Sequence, residues 1–274
     1  MTLERGGVPP YVTRVPLAFI PWFELPHLPI GRVTIQSFGV LSALGILAAV
    51  LLAQVAARRL GKKPQPVADF AVVGVVAGVV GGHLVHLFFY HPEELAEPWR
   101  VLMVWDGLSS MGGLAGGVLA AAVWFRARRI RLSDYADAWA LGLAPGWGIA
   151  RIGCFTVHDH PGVLTSFPLA VRFPDGPRHD LGLYEAILLL SIGALLWALF
   201  RRGALRDRLL PLLALLYGVG RFLLDFLRAQ DVPYHDARHL GLTFAQYAAV
   251  ALVAYGVAGL VRARAGRFAA ATPR

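Results

Sequence analysis

The chain of 274 residues has a single cysteine, Cys154, which excludes an intrachain disulfide. Charge is also scarce. Asp, Glu, Lys and Arg make up 16% of the sequence, against about 25% in a soluble domain. The N-terminal region lacks a basic stretch followed by a short apolar core and a small-residue cleavage site, so no cleaved signal peptide is expected. The histidines and the cysteine show neither zinc-finger nor HExxH spacing, and no metal is expected. A soluble enzyme, a disulfide-stapled secreted domain and a zinc-finger module all fit poorly.

Apolar length is what the chain has in quantity. Hydrophobic residues are 57% of the sequence and mean hydropathy is +0.58. A helix needs about 20 apolar residues to cross the hydrocarbon layer. Seven blocks approach that length, near 33–57, 67–90, 108–125, 135–154, 183–200, 209–227 and 243–261. Residues 1–31, rich in proline and aromatics, read as an interfacial segment. Gly61 is placed to cap the first span, and Ser133 or Asp134 to cap the fourth. Glycines at 74, 78, 81 and 82, and again at 112, 113, 116 and 117, give the second and third spans close-packing faces.

The net charge of +9 is carried by position rather than by a patch. Four basic clusters sit at the ends of apolar blocks: Arg58 to Lys63, Arg126 to Arg131, Arg201 to Arg208, and Arg262 to Arg274. Short basic loops mark the cytoplasmic side, so a nucleic-acid partner is not expected. Seven spans with the N-terminus outside and the C-terminus cytoplasmic put every cluster on one face. The fold expected is an all-α membrane protein: a seven-helix domain over 32–262, loops 91–107, 155–182 and 228–242 on the periplasmic side, and a basic tail over 263–274. A multi-pass bacterial inner-membrane protein is the expected location.

Charge within a span usually faces an interior or a cavity. Arg151 lies in the fourth span, and Arg221 in the sixth, one turn before Asp225. Arginine forks suit a phosphate, so both are candidate ligands for an anionic lipid headgroup. A scaffold would instead pair them internally. His83 and His86 share a face of the second span, and His158 and His160 flank Asp159. These histidines are read as polar packing residues or as a general base. Cys154 is read as a small packing residue or a nucleophile, and the helix C-terminus beside it disfavours a thiolate. Glu185 reads as a carboxylate favourable to a helix N-terminus, able to support the polar loop before it.

At these residues the sequence resembles the bacterial prolipoprotein diacylglyceryl transferase family over roughly 30–260. Ser37-Phe38-Gly39 resembles the family's opening Ser-Tyr-Gly, and Phe89-Tyr90 its Phe-Tyr. Ser109 to Gly116 resembles Ser-x-His-Gly-Gly-x-x-Gly, with Met111 at the histidine. Ala150 to Gly162 resembles Gly-Arg-x-Gly-Asn-Phe-x-Asn-x-Glu-x-x-Gly, with Cys154 at the first asparagine and Asp159 at the glutamate. Tyr184-Glu185 matches a Tyr-Glu pair. Tyr217 through Asp231 resembles Tyr-Gly-x-x-Arg-x-x-x-Glu-x-x-Arg-x-x-Asp, with Asp225 at the glutamate.

The resemblance implies a seven-span enzyme of the inner membrane, needing no cofactor or metal. It implies transfer of the diacylglyceryl group of phosphatidylglycerol to the lipobox cysteine thiol in a prolipoprotein's signal-peptide region, with release of glycerol 1-phosphate. The candidate catalytic residues are Arg151, Arg221, Asp225, Asp159 and His86. The candidate substrate-binding residues are Arg151, Arg221, Gly162, Cys154, Met111, Phe38 and Tyr217. The alternative is a divergent paralogue that binds an anionic phospholipid and uses another acceptor or performs no catalysis.

Overall fold

A computed structural model describes residues 20–23, 25, 28–30, 33–104, 107–233 and 236–271. Most of the 1–31 segment, Asp106 and Arg274 lie outside these residues. Among these described residues seven α-helices carry the fold: α1 (Ser37–Arg59), α2 (Gln65–Val85), α3 (Ser110–Ala127), α4 (Ser133–Val157), α5 (Leu181–Arg201), α6 (Leu209–Leu224) and α7 (Phe244–Ala271). A π-helical turn (His86–Tyr90) extends α2, and a 3₁₀ turn (Asp225–Leu227) extends α6. The chain is thus a helical, multi-pass membrane protein. Six of the helices are long and apolar enough to cross a membrane, and α3 is a shorter apolar helix.

Four expected boundaries shift, one of them at the C-terminal end, where α7 runs to Ala271 instead of ending near 261 and so takes in most of the 263–274 segment expected as a tail. The first span begins at Ser37, because residues 33–35 pair as strand β2 (Val33–Ile35) with β1 (Leu28–Ile30). Helix α4 starts at Ser133 itself, with Leu132 at the cap position and no side-chain cap, so neither Ser133 nor Asp134 caps it. The 155–182 segment is not an irregular loop. Helix α4 runs on to Val157, and the rest forms an antiparallel sheet of β3 (Pro161–Leu164), β4 (Val171–Phe173) and β5 (Gly176–Asp180), in the order β3-β5-β4. Gly61 follows α1 with a φ of +72°, the left-handed exit expected of it. A short hairpin, β6 (Arg238–His239) with β7 (Leu242–Thr243), leads into α7.

Small residues set the helix crossings, since hydrocarbon gives no hydrophobic drive between spans. The two expected glycine faces meet each other. A Cβ on Gly81 would lie 2.6 Å from the Gly112 carbonyl oxygen and 3.0 Å from the Gly116 Cα. Helix α3 runs back along α2 for most of its length, from the Ser109 N–H on the Gly82 carbonyl (3.0 Å) to Phe125 beside Phe70 (5.4 Å between ring centroids). A second close crossing, of α1 on α4, rests on Gly45, Ala49, Gly142 and Gly146.

Three basic segments gather at one end of the bundle. Arg59 lies 5.7 Å over the Trp197 ring, and Lys62 pairs with Asp134 at 3.4 Å. Asp137 of α4 accepts the backbone N–H groups of Asp207 (2.6 Å) and Leu209 (2.9 Å) at the start of α6. Those amides have no partner within α6, so α4 supplies their acceptor. Helix α4 is the most enclosed of the apolar helices, while Val72, Leu119 and Val123 turn exposed apolar surface outward.

A Cβ on Gly146 would sit 2.5 Å from the Gly45 carbonyl oxygen and 2.6 Å from the Ala49 Cβ. Gly146→Val is therefore expected to destabilise the detergent-solubilised protein by about 1–3 kcal/mol or more, as overpacking does. Gly117→Ala, which meets nothing within 4 Å, is expected to leave the melting temperature unchanged. Thermal unfolding of the two variants side by side checks both.

Candidate functional site

Helices α4, α5 and α6 each bring one ionised side chain to a common point. Glu185, in the first turns of α5, has no exposed surface. Arg151 of α4 places Nε 3.1 Å from Glu185 Oε2, and Arg221 of α6 places Nη1 3.6 Å from Glu185 Oε1. Both arginines are buried. Tyr217, one turn before Arg221, donates its hydroxyl to Glu185 Oε2 at 3.1 Å. Glycine lets the helices come this close: a Cβ on Gly182 would lie 2.8 Å from the Phe155 nitrogen, and one on Gly148 2.8 Å from Leu190 Cγ. The α5 N-terminus is fixed by Asp180, which accepts the Leu183 N–H at 3.0 Å.

Asp225 extends the network toward α7. It is fully buried and pairs with Arg221 Nη1 at 2.7 Å and with Arg228 Nε at 3.3 Å. The Thr243 hydroxyl also donates to Asp225. Thr243 and Gln246 bond reciprocally, the Thr243 N–H to Gln246 Oε1 (3.0 Å) and the Gln246 N–H to Thr243 Oγ1 (3.2 Å), which caps the start of α7. Arg228 reaches on to Asp236 at 3.1 Å.

Arg151 also faces the end of its own helix. Its Nη1 donates to Cys154 Sγ at 3.4 Å and lies 3.0 Å from His160 Nε2. His160 Nδ1 is 2.7 Å from Asp159 Oδ1. The ligand atoms of Cys154, Asp159 and His160 fall within 4.8 Å of one another, a spacing that would suit a metal ion. Here the Arg151 guanidinium contacts both Sγ and Nε2 and supplies the positive charge an ion would bring. Cys154 is buried and serves the guanidinium as a weak acceptor.

The sheet beyond α4 is held by Arg178. It bonds Asp175 Oδ2 (2.6 Å), Asp231 Oδ2 (2.7 Å) and the Gly162 carbonyl (3.1 Å). Gly162 bridges to Arg228, and a Cβ there would lie 2.6 Å from the His179 Cβ. Gly162 thus positions the Arg228 segment through its lack of a side chain. His158 has a left-handed φ of 50° and sets Nδ1 2.7 Å from Asp180 Oδ2, among Trp22, Phe23, Phe155 and Phe173. A cavity of about 600 Å³ opens beside it, lined by residues including Trp22, Asp159, Phe173 and Arg178.

Of the residues singled out from sequence, Arg151, Arg221, Asp225, Tyr217, Cys154 and Asp159 join one network. Gly162 lies against its rim. Phe38, half exposed in the first turn of α1, sets its backbone against Gly153 of α4, the residue before Cys154. Met111 is half-buried in the first turn of α3. His86 stands beside His91 (4.6 Å between rings) and against Gly107. Glu185, the centre of the network, was not among the candidate site residues. Its signals in the sequence are a carboxylate at the head of an otherwise apolar span and the Tyr184-Glu185 pair that resembles the family's Tyr-Glu.

Glu185→Gln keeps the shape of the side chain but leaves two buried guanidiniums without their shared anion. A loss of about 3–5 kcal/mol is expected, read as a lower melting temperature in detergent. Tyr217→Phe removes one hydrogen bond and should cost about 0.5–1.5 kcal/mol. In the sheet, hydrogen bonding to Arg178 holds Asp175 and Asp231 below the usual carboxylate range. A lowered folded pKa gives stability that is complete above the unfolded value of about 4 and is lost as pH falls through the folded one. Amide exchange in β5, corrected for the intrinsic pH dependence, should therefore stay level from neutral pH down to about 5 and accelerate only in stronger acid.

The profile of the prolipoprotein diacylglyceryl transferase family matches residues 27–262. Proteins named phosphatidylglycerol--prolipoprotein diacylglyceryl transferase align over nearly the same region. The one from Chromohalobacter salexigens is 33% identical over 241 residues, covering 86% of this chain and 90% of its own. That from Methylococcus capsulatus is 32% identical over 249 residues, covering 87% and 95%. That from Janthinobacterium is 30% identical over 251 residues, covering 85% and 93%. With a match this complete and a buried polar network built from the same sequence elements, the chain belongs to the prolipoprotein diacylglyceryl transferase family.

Proposed function

We propose that this chain transfers the diacylglyceryl group of phosphatidylglycerol to the lipobox cysteine thiol of a prolipoprotein and releases glycerol 1-phosphate. The observation that carries the reading is the convergence of Arg151 and Arg221, from two helices, on one buried anion. A pair of guanidiniums already held by a shared carboxylate is preorganised for a second anion of fixed position. The headgroup phosphate is that anion. Charge grows on its bridging oxygen as the glyceryl carbon–oxygen bond breaks, and the arginines offset it. Glu185, Tyr217 and Asp225 orient the two forks. Relatives named for this reaction cover 85% or more of the chain, which supports the same substrates here.

The reading includes seven crossings in a bacterial inner membrane, with α3 as the third, the N-terminus outside and the C-terminus cytoplasmic. The 18 residues of α3 rise about 27 Å, close to the thickness of the hydrocarbon layer. If α3 crosses, the four basic clusters share one face. The Arg151–Glu185–Arg221 network and the β3–β5 sheet then lie toward the periplasmic face, where a lipobox cysteine arrives.

The arginines also pair internally, as a lipid-binding scaffold would have them, and this favours the second reading of binding without transfer. One assay separates the two. Purified chain, phosphatidylglycerol and a lipobox peptide are incubated, and peptide mass and glycerol phosphate are followed. Wild type is expected to give the diacylglyceryl adduct. Arg151→Ala and Arg221→Ala are each expected to lose about 100-fold or more in rate. Arginine-dependent retention of labelled phosphatidylglycerol with no adduct would replace transfer by binding.

A further inference from the structure

The transfer needs a group that takes the thiol proton, since a free cysteine with a pKa of about 8.5 is mostly protonated at neutral pH. Several histidines are committed elsewhere. His83 is buried with its ring nitrogens 3.2 Å from the Gly107 carbonyl and 2.8 Å from the Arg100 carbonyl. His158 is buried among aromatic rings on Asp180. His179 meets the Tyr184 hydroxyl at 2.8 Å.

His160 differs in what its two nitrogens face. Nε2 is 3.0 Å from Arg151 Nη1, and a guanidinium can only donate, so Nε2 carries a lone pair. The ring proton of the neutral imidazole then sits on Nδ1, 2.7 Å from Asp159 Oδ1. Asp159 is close enough to act on the ring through its charge, although its oxygen is not aligned for a hydrogen bond to Nδ1, and Nε2 presents its lone pair on the opposite side. The lone pair points at the guanidinium that is to bind the phosphate. His160 is partly exposed, and its neighbour Asp159 lines the 600 Å³ cavity, so the ring that contacts Arg151 is also close to open space.

We propose that His160, held against Arg151 and beside the Asp159 carboxylate, is the general base for the acceptor thiol. The assignment rests on the transferase reading above. When the phosphodiester draws Arg151 Nη1 onto its oxygens, the Nε2 lone pair is released. The thiol proton passes to Nε2, and the sulfur electron pair forms a bond to the glyceryl carbon. The bond from that carbon to the phosphate oxygen breaks, and its electron pair stays on the oxygen. Glycerol 1-phosphate leaves with one more negative charge, facing Arg151 and Arg221. The proton on Nε2 is then lost to solvent. The charged and titratable groups around the ring are Asp159, Arg151, Cys154 and Glu185.

The test is single-turnover transfer from phosphatidylglycerol to a lipobox peptide by the full chain, in wild type, His160→Gln and Asp159→Asn. His160→Gln should fall by about 10²–10⁴ at pH 7, with retention of labelled phosphatidylglycerol and melting temperature unchanged. The deficit should shrink about tenfold per pH unit as pH approaches the thiol pKa, because the acceptor then ionises unaided. Asp159→Asn should lower the rate less and respond to pH in the same way. Activity of His160→Gln within about threefold of wild type at pH 7, below the contribution of a general base, would overturn the assignment. So would a deficit equal at neutral and alkaline pH, or loss of lipid retention, since a structural role would give either. Wild type that forms no adduct would instead overturn the transferase reading, and this assignment with it.

Discussion

Hydrocarbon offers a charged side chain neither water nor counterions, so every ionised group inside the bundle has to find its partner in the protein. Glu185 meets that demand for Arg151 and Arg221 together. It ties α4 to α6 through α5, and the close approach it requires dictates small residues at Gly148 and Gly182. Asp225 repeats the device one turn along α6, taking Arg221 and Arg228 and drawing in the threonine that caps α7. The helices are thus ordered around their polar contacts, while their apolar faces are left to the lipid.

The helices were legible because hydropathy reports apolar length directly, and each of the seven expected blocks contains one. What escaped was short or long-range. Strands of three to five residues carry too little alternation to be read, so the β3–β5 sheet looked like a polar loop. The start of α1 was placed too early because Val33–Ile35 is as apolar as the helix that follows.

Within the site, Arg221 and Asp225 were readable from a four-residue spacing that puts them on one helix face, and Tyr217 from the family resemblance. Glu185 was noticed at the head of α5, but its place at the centre was not readable, because its partners lie on other helices and no local spacing links them. The histidines show the same divide. Spacing along α2 drew attention to His86, whereas the turn after α4 carries His160 back onto Arg151. The α2–α3 glycine faces were legible as faces, and only the folded chain shows that they pack on each other.

The Asp137 contact at the far end of α4 has a mechanical consequence. It fastens α4 to the start of α6, and Glu185 links the same two helices near their other end. The two fastenings are about 20 Å apart along the helices. Any parting of α4 from α6 at the arginines would therefore pivot on Asp137, and a 2 Å gap there takes a tilt of only about 6°. A small rocking motion about that fastening would open the polar centre while the Asp137 end of the bundle stays shut.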